Sequence, residues 1–191
     1  MSEVKESRRV KMTKMLLKES LIDLMKEKSI HSISIKDVCD GADINRSTFY
    51  RHYNTQYELY DDIIQDIMND MLEIFCNVSK EGFTTTLFLT RLFEYFESRR
   101  DLFLIVLSDK GNIGVGETYI RMTAKFLDSE TVSETASYII NFISAGMTSF
   151  LWTWLNKEER RSAAETAEIM SSIIRHGLGK YLDMKPEDKL D

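Results

Sequence analysis

Ser34-Ile-Lys-Asp-Val-Cys-Asp-Gly-Ala-Asp-Ile-Asn-Arg-Ser-Thr-Phe-Tyr-Arg-His-Tyr53 holds two helix starts within twelve residues. Ser34 followed by Asp37 is a capping box: a hydroxyl accepts from the free amides of the first turn, and an acid sits near the helix's positive end. Ile30, Ile33 and Ile35 alternate with polar residues and resemble a short strand, but the cap decides for a helix from Ile35 to about Gly41. Asn45 is a second N-cap, opening Arg46 to Tyr53 with Phe49 and Tyr53 on one side. The link between the two is Ala42-Asp43-Ile44. Thr55 with Glu58 is a third start, opening a long helix with the apolar columns Leu59, Ile63, Ile67, Met71 and Ile64, Met68, Phe75. Before all three, Val10, Leu17, Leu21 and Leu24 share a face with Lys11, Lys14, Lys18 and Lys26 largely off it. Two short helices joined by a tight turn and braced by a longer helix on each side describe a helix-turn-helix unit.

Outside this unit the pattern stays helical. Leu89, Leu92, Phe93 and Phe96 fall on one face, a short segment follows Asp101, and a loop passes through Gly111, Gly114 and Gly116. Tyr119, Met122 and Phe126 begin another helix. An uncharged stretch of 22 residues, Thr135 to Asn156, carries Ile140, Ile143, Met147, Phe150 and Trp154 at near-heptad spacing, and a last helix runs from about Ser162 to Leu182. One proline and eight glycines among 191 residues are too few chain breakers for a turn-dense sandwich or barrel. The expected fold is all-α: an N-terminal three-helix unit over residues 1–54, a C-terminal helical domain over 55–184, and a tail over 185–191.

Charge divides along the same line. Residues 1–54 carry a net +3 and the remainder −9, for −6 overall. That balance disfavours indiscriminate polyanion binding while leaving the N-terminal unit able to meet a phosphate backbone locally. Arg46 to Tyr53 concentrates guanidinium, hydroxyl and phenol groups in one short helix. A helix inserted in the major groove meets base edges with its N-terminal residues, where Arg46 can bind guanine through two parallel hydrogen bonds. Ser47 and Thr48 are short enough to permit close approach. Tyr50, Arg51 and His52 can reach flanking phosphates.

The run from Ser34 to Leu59 resembles the DNA-binding signature of TetR-type transcriptional regulators. Thr48, Phe49 and Tyr50, then Tyr53 and Leu59, occur together at the signature's positions, and the likeness extends over about residues 8–60. The resemblance implies an N-terminal DNA-binding domain with a helix-turn-helix and a C-terminal helical domain for ligand and dimer contacts. It implies a cytoplasmic homodimer on a palindromic double-stranded DNA operator, most often a repressor released by a small molecule. The expected DNA contacts are Ser34, Lys36, Asn45, Arg46, Ser47, Thr48, Tyr50, Arg51, His52, Asn54, Thr55 and Gln56. Phe96 to Leu104, Ser108 to Gly111, Ile143 to Met147 and Trp154-Leu155 are similar to a C-terminal region shared by a subset of these regulators.

Two readings stand for the aromatic and methionine stripe of the C-terminal domain, core packing or a pocket for an apolar or weakly polar effector. The pocket candidates are Met68, Phe75, Phe88, Phe96, Phe103, Met122, Phe126 and Trp152. Ile140, Ile143, Met147, Phe150 and Trp154 with Ala167, Met170 and Ile174 are the expected four-helix dimer interface. The alternative function is a regulator-like interaction module whose C-terminal domain binds a protein partner.

Competing chemistry is weak. Gly111-Asn-Ile-Gly-Val-Gly-Glu-Thr118 follows the strand-like run Leu102 to Leu107 and fits a phosphate-binding loop except at Glu117, where a carboxylate stands in the lysine position and repels phosphate. His31, His52 and His176 lack metal-ligand spacing, and no nucleophile–base constellation stands out, so no catalytic role, metal or cofactor is expected. Cys39 and Cys76 are too few for a disulfide framework. Eight polar positions within the uncharged stretch argue against a membrane span, and the first thirty residues do not read as a targeting peptide.

The sequence departs from the signature twice. Asp43 stands where the turn usually has glycine, and aspartate tolerates left-handed angles better than most residues. Gln56 stands where a phosphate-contacting lysine usually opens the fourth helix, so a shallower salt dependence of DNA binding is expected. Gln56→Lys should tighten DNA binding and steepen the slope of log K against log salt by about 0.9. An unchanged slope in a salt titration would mean that residue 56 does not face the backbone.

Overall fold

A computed structural model describes residues 7–108 and 134–178. Among them are eight α-helices and no strand: α1 (Arg8–Glu27), α2 (Ile35–Ala42), α3 (Arg46–Phe49), α4 (Gln56–Gly82), α5 (Thr85–Ser98), α6 (Arg100–Leu107), α7 (Glu134–Asn156) and α8 (Ala163–Ile173). The described residues divide into two compact units, 7–67 with 104–108 and 134–148, and 68–103 with 149–178. No helix among them is long and apolar enough to cross a membrane.

In the first unit the caps form where hydroxyl and amide side chains precede an apolar run. Ser34 Oγ accepts from Asp37 N while Asp37 Oδ2 accepts from Ser34 N, the full capping box. The isoleucine-rich stretch before it is a 3-10 turn, Ile30–Ser32, with Ile30 and Ile33 buried. Leu17, Leu21 and Met25 of α1, Val38 of α2, Phe49 of α3, then Tyr53, Leu59 and Ile63 are also buried. α2 ends at Asp43, which takes the left-handed conformation (φ 52°, ψ 43°) and turns the chain toward α3. The strand-like run Leu102 to Leu107 is helical, as α6. A short apolar run does not separate a strand from a buried helix by itself, and here the helical choice removes the β-strand that a phosphate-binding loop would follow.

In the second unit α5 packs against α8. Phe93 meets Phe96, Phe150 and Trp154 edge to face, with centroids 6.1, 6.0 and 5.3 Å away. Thr86 Oγ1 donates to Ser171 Oγ at 2.8 Å, joining the two helices through a part-buried polar pair. Trp154 Nε1 donates to the Arg161 carbonyl, and Arg160 lies over the Trp154 ring while pairing with Glu97. α8 is capped by Ser162 with Glu165 and runs into a π-turn at Ile174–Leu178. Glycine loops 111–116, the helix expected from Tyr119, and the end of the last helix beyond residue 178 lie outside the described residues.

The α1–α2 contact sets one local requirement. A Cβ on Gly41 would lie 2.5 Å from Ser20 Oγ, which donates to the Val38 carbonyl at 2.9 Å. Gly41→Ala should therefore cost about 1 kcal/mol, because the Ser20 hydroxyl must turn away and lose its bond. In a Ser20→Ala background the same substitution should cost little. Equal costs in both backgrounds, measured by urea unfolding, would show that the hydroxyl is not the obstacle.

Candidate nucleic-acid interface

The recognition segment is a single α-helical turn extended by tight turns to Tyr53, too short to persist by itself. Three side chains hold it. Asn45 Oδ1 accepts from Ser47 N at 2.8 Å and closes its N-terminus. Phe49 is fully buried beneath it. Tyr53 closes the far end, donating its hydroxyl to Asp62 Oδ2 of α4 at 2.6 Å. Lys18 of α1 pairs with that same oxygen at 3.0 Å and with Asp66 at 2.6 Å.

The expected contact residues fall into two groups. Lys36, Arg46 and Arg51 are exposed, and their side chains make no hydrogen bond or ion pair with any described residue, so their charges are available. Tyr50 is 56% exposed, its ring edge-on to Phe49. Thr48 and His52 are half-buried, His52 against Tyr53. The other group is engaged in caps. Ser34 holds α2, Asn45 holds α3, and Thr55 Oγ1 accepts from Glu58 N at the start of α4. Asn54 donates through its backbone and its amide to the Glu58 carboxylate. Gln56, the first residue of α4, is half-buried.

Sequence reasoning missed Asp62 and Lys18, which hold Tyr53 at the end of the α3 segment, and the contact of His31 Nδ1 with the Tyr57 hydroxyl at 3.0 Å. The available signal was a charge beside a core position in each helix: Lys18 next to Leu17, and Asp62 next to Ile63. Burial alone would raise the Asp62 pKa. The Tyr53 hydroxyl and the Lys18 ammonium outweigh it, and the carboxyl titrates below the ordinary aspartate range. Burial pushes the Cys39 thiol up against the opposing pull of Arg46, which keeps it protonated and unreactive. No group of three His, Cys, Asp or Glu side chains among the described residues could hold a metal ion.

In the second unit Phe96 and Phe103 are buried against each other at 4.6 Å, so both pack as core. Phe75 and Phe88 form a half-buried group with the exposed Phe83, Met68 is half-buried, and Trp152 is exposed on α7. Met122 and Phe126 lie outside the described residues. Of the expected self-interface, Met147, Trp154, Ala167 and Met170 are buried within the chain, and Ile143, Phe150 and Ile174 are half-buried. The Ile140 side chain lies outside the description. A second seam on α7 faces outward: Tyr138 (65% exposed), Phe142 (72%), Ala145, Ser149 and Trp152, spaced four, three, four and three. Ile169 and Ile173 are exposed on α8.

Comparison with known proteins agrees with this architecture. Residues 84–176 match a TetR family profile described as "Transcriptional regulator C-terminal region". A curated relative, the uncharacterized HTH-type transcriptional regulator YxbF of Bacillus subtilis (strain 168), is 29% identical over 51 residues; the match spans 27% of this chain and only 13% of the relative. The solved structure of a TetR transcriptional regulator from Streptococcus agalactiae 2603V is similar over 87% of this chain and 96% of its own, with TM-score 0.62 at 19% identity. The dihydroxyacetone kinase operon activator DhaS is similar over 88% and 97%, with TM-score 0.55 at 18% identity. Lin0861 from Listeria innocua covers 91% and 95%, with TM-score 0.56 at 20% identity.

The Asp62 contact has a pH signature. Because its folded pKa is depressed, the stability it contributes is present at neutral pH and is lost as pH falls through the folded pKa, below the ordinary aspartate range. Asp62→Asn should lower stability by about 1 kcal/mol at neutral pH. The gap to wild type, followed by urea unfolding, should close as the pH falls below the ordinary aspartate range and through the folded pKa; a gap independent of pH would mean that the ionised carboxylate contributes nothing.

Proposed function

We propose that the chain, whose residues 84–176 match a TetR-type regulator C-terminal region, is a regulator of that type that binds a two-fold-symmetric DNA operator as a homodimer and represses the promoter there. The observation that carries this reading is the presentation of α3. The side chains of Arg46 and Arg51 stand unpaired on a turn that Phe49, Asn45 and Tyr53 hold to the domain, and that of Lys36 stands unpaired on α2. Unpaired cations on a rigid scaffold fit a polyanion carrying base-edge acceptors. One helical turn contacts too few base pairs for genomic specificity, and a two-fold dimer doubles the contacts at a half-site spacing set by its geometry.

The domain division at residue 54 belongs to this reading, with DNA contacts before it and self-association and effector contacts after it. The exposed apolar seams on α7 and α8 support self-association better than the seam through Met147 and Trp154, whose side chains are already buried in the chain. Release by an apolar effector rests on the aromatic group Phe75, Phe83 and Phe88, which keeps ring surface accessible. An effector acts through a difference in affinity for the DNA-competent and incompetent states.

Selection of duplexes from a random library, at roughly physiological salt with excess competitor DNA, tests the reading. It should return one palindromic sequence, and Arg46→Ala should weaken binding to it by about 1–3 kcal/mol. No enrichment from a folded dimer would favour a protein-partner module. For the self-interface, Phe142→Asp should give a folded monomer that has lost operator affinity, whereas Phe150→Asp should chiefly destabilise the fold through its contact with Phe93. A Phe142→Asp protein that sediments as a dimer would place the interface elsewhere.

A further inference from the structure

The first turn of α3 contains a hydrogen-bond arrangement that fixes the polarity of one base contact. Asn45 Oδ1 receives two bonds from Ser47, from the backbone N at 2.8 Å and from Oγ at 2.9 Å. A backbone N–H can only donate, so the Asn45 atom facing it is the carbonyl oxygen. That oxygen can only accept, so the Ser47 hydroxyl must be the donor in the second bond. The single hydroxyl proton of Ser47 is thereby committed inside the cap, while the residue itself is exposed. What Ser47 presents outward is lone pairs. Asn45, its oxygen turned inward, presents its two amide protons, and Arg46 presents only donors.

A serine free to rotate its hydroxyl reads either a donor or an acceptor on a base and so discriminates poorly. This serine is held as an acceptor. We propose that Ser47 is a specificity-determining residue that reads an exocyclic amino group in the major groove, adenine N6 or cytosine N4, and disfavours guanine O6 and thymine O4. The inference rests on the operator-binding reading above and deepens it by naming the base chemistry that one side chain selects. Meeting a keto oxygen would require the hydroxyl to leave Asn45. At the usual net worth of a hydrogen bond, that makes the amino base preferred by about five- to tenfold.

The test uses the full-length protein and the duplex it selects. Selections with wild type and Ser47→Ala locate the base pair whose preference depends on Ser47. At that pair the exocyclic amino group and, in a separate duplex, the keto oxygen of the opposite base are each replaced by hydrogen, and affinities are measured. Wild type should lose about five- to tenfold on amino deletion and little on keto deletion, and Ser47→Ala should respond to neither. Asn45→Gly, which keeps a tolerated N-cap but frees the proton of Ser47, should accept the pair in either orientation. Asn45→Asp, which keeps an oxygen facing Ser47, should retain the preference at lower overall affinity. Sensitivity of wild type to the keto oxygen, the absence of any Ser47-dependent pair, or an unchanged preference in Asn45→Gly would each overturn the proposal while leaving operator binding intact. Failure of wild type to enrich any duplex would overturn the operator reading itself, and this inference with it.

Discussion

The Asp62 carboxylate joins three helical segments, one of them 44 residues away in the chain. It accepts the Tyr53 hydroxyl at the end of the recognition turn and pairs with Lys18 of α1, while itself standing on α4. Lys18 also reaches the Asp62 carbonyl and Asp66, so one ammonium binds α1 to two successive turns of α4. An isolated surface pair of this kind contributes little. Here the pair is part-buried and its partners hold one another, so loosening any of them frees the end of α3 that Phe49 burial alone does not fix.

That constraint matters because α3 cannot hold its own shape. A single turn gains too few backbone hydrogen bonds to offset the order it requires. The capping oxygen of Asn45, the buried ring of Phe49 and the Tyr53–Asp62 bond supply the missing order at its start, middle and end. Rigidity there would serve the proposed operator contact, since a base edge is read by groups held within a fraction of an ångström. The same cap that completes the helix also sets the direction of the Ser47 proton, so local folding fixes the polarity that Ser47 would bring to the proposed groove contact.

Much of this was legible in the sequence because caps are local. Ser34 with Asp37 and Asn45 ahead of Arg46 are recognised from residue type and spacing, and both close helices as expected. The face of Leu89, Leu92, Phe93 and Phe96 followed from periodicity, and all four residues are buried. Tertiary choices were less legible. Leu102 to Leu107 reads as a strand by its apolar run and folds as a helix, because periodicity over so few residues does not separate the two. The uncharged helix α7 is apolar on more than one side, so spacing alone did not tell the seam through Met147 and Trp154, which the chain buries, from the seam through Phe142 and Trp152, which it exposes. Lys18 and Asp62 read as solvated charges, since nothing local announces a partner 44 residues away.

The surface around α3 is the face proposed to meet nucleic acid. Amide hydrogen exchange of the folded protein, with and without the duplex it selects, tests this most directly. The expected result is slowed exchange over Asn45 to Asn54 and the first turn of α4, with the outer face of α7 unchanged. Protection confined to other segments, with exchange in the recognition turn unaltered by saturating duplex, would contradict it.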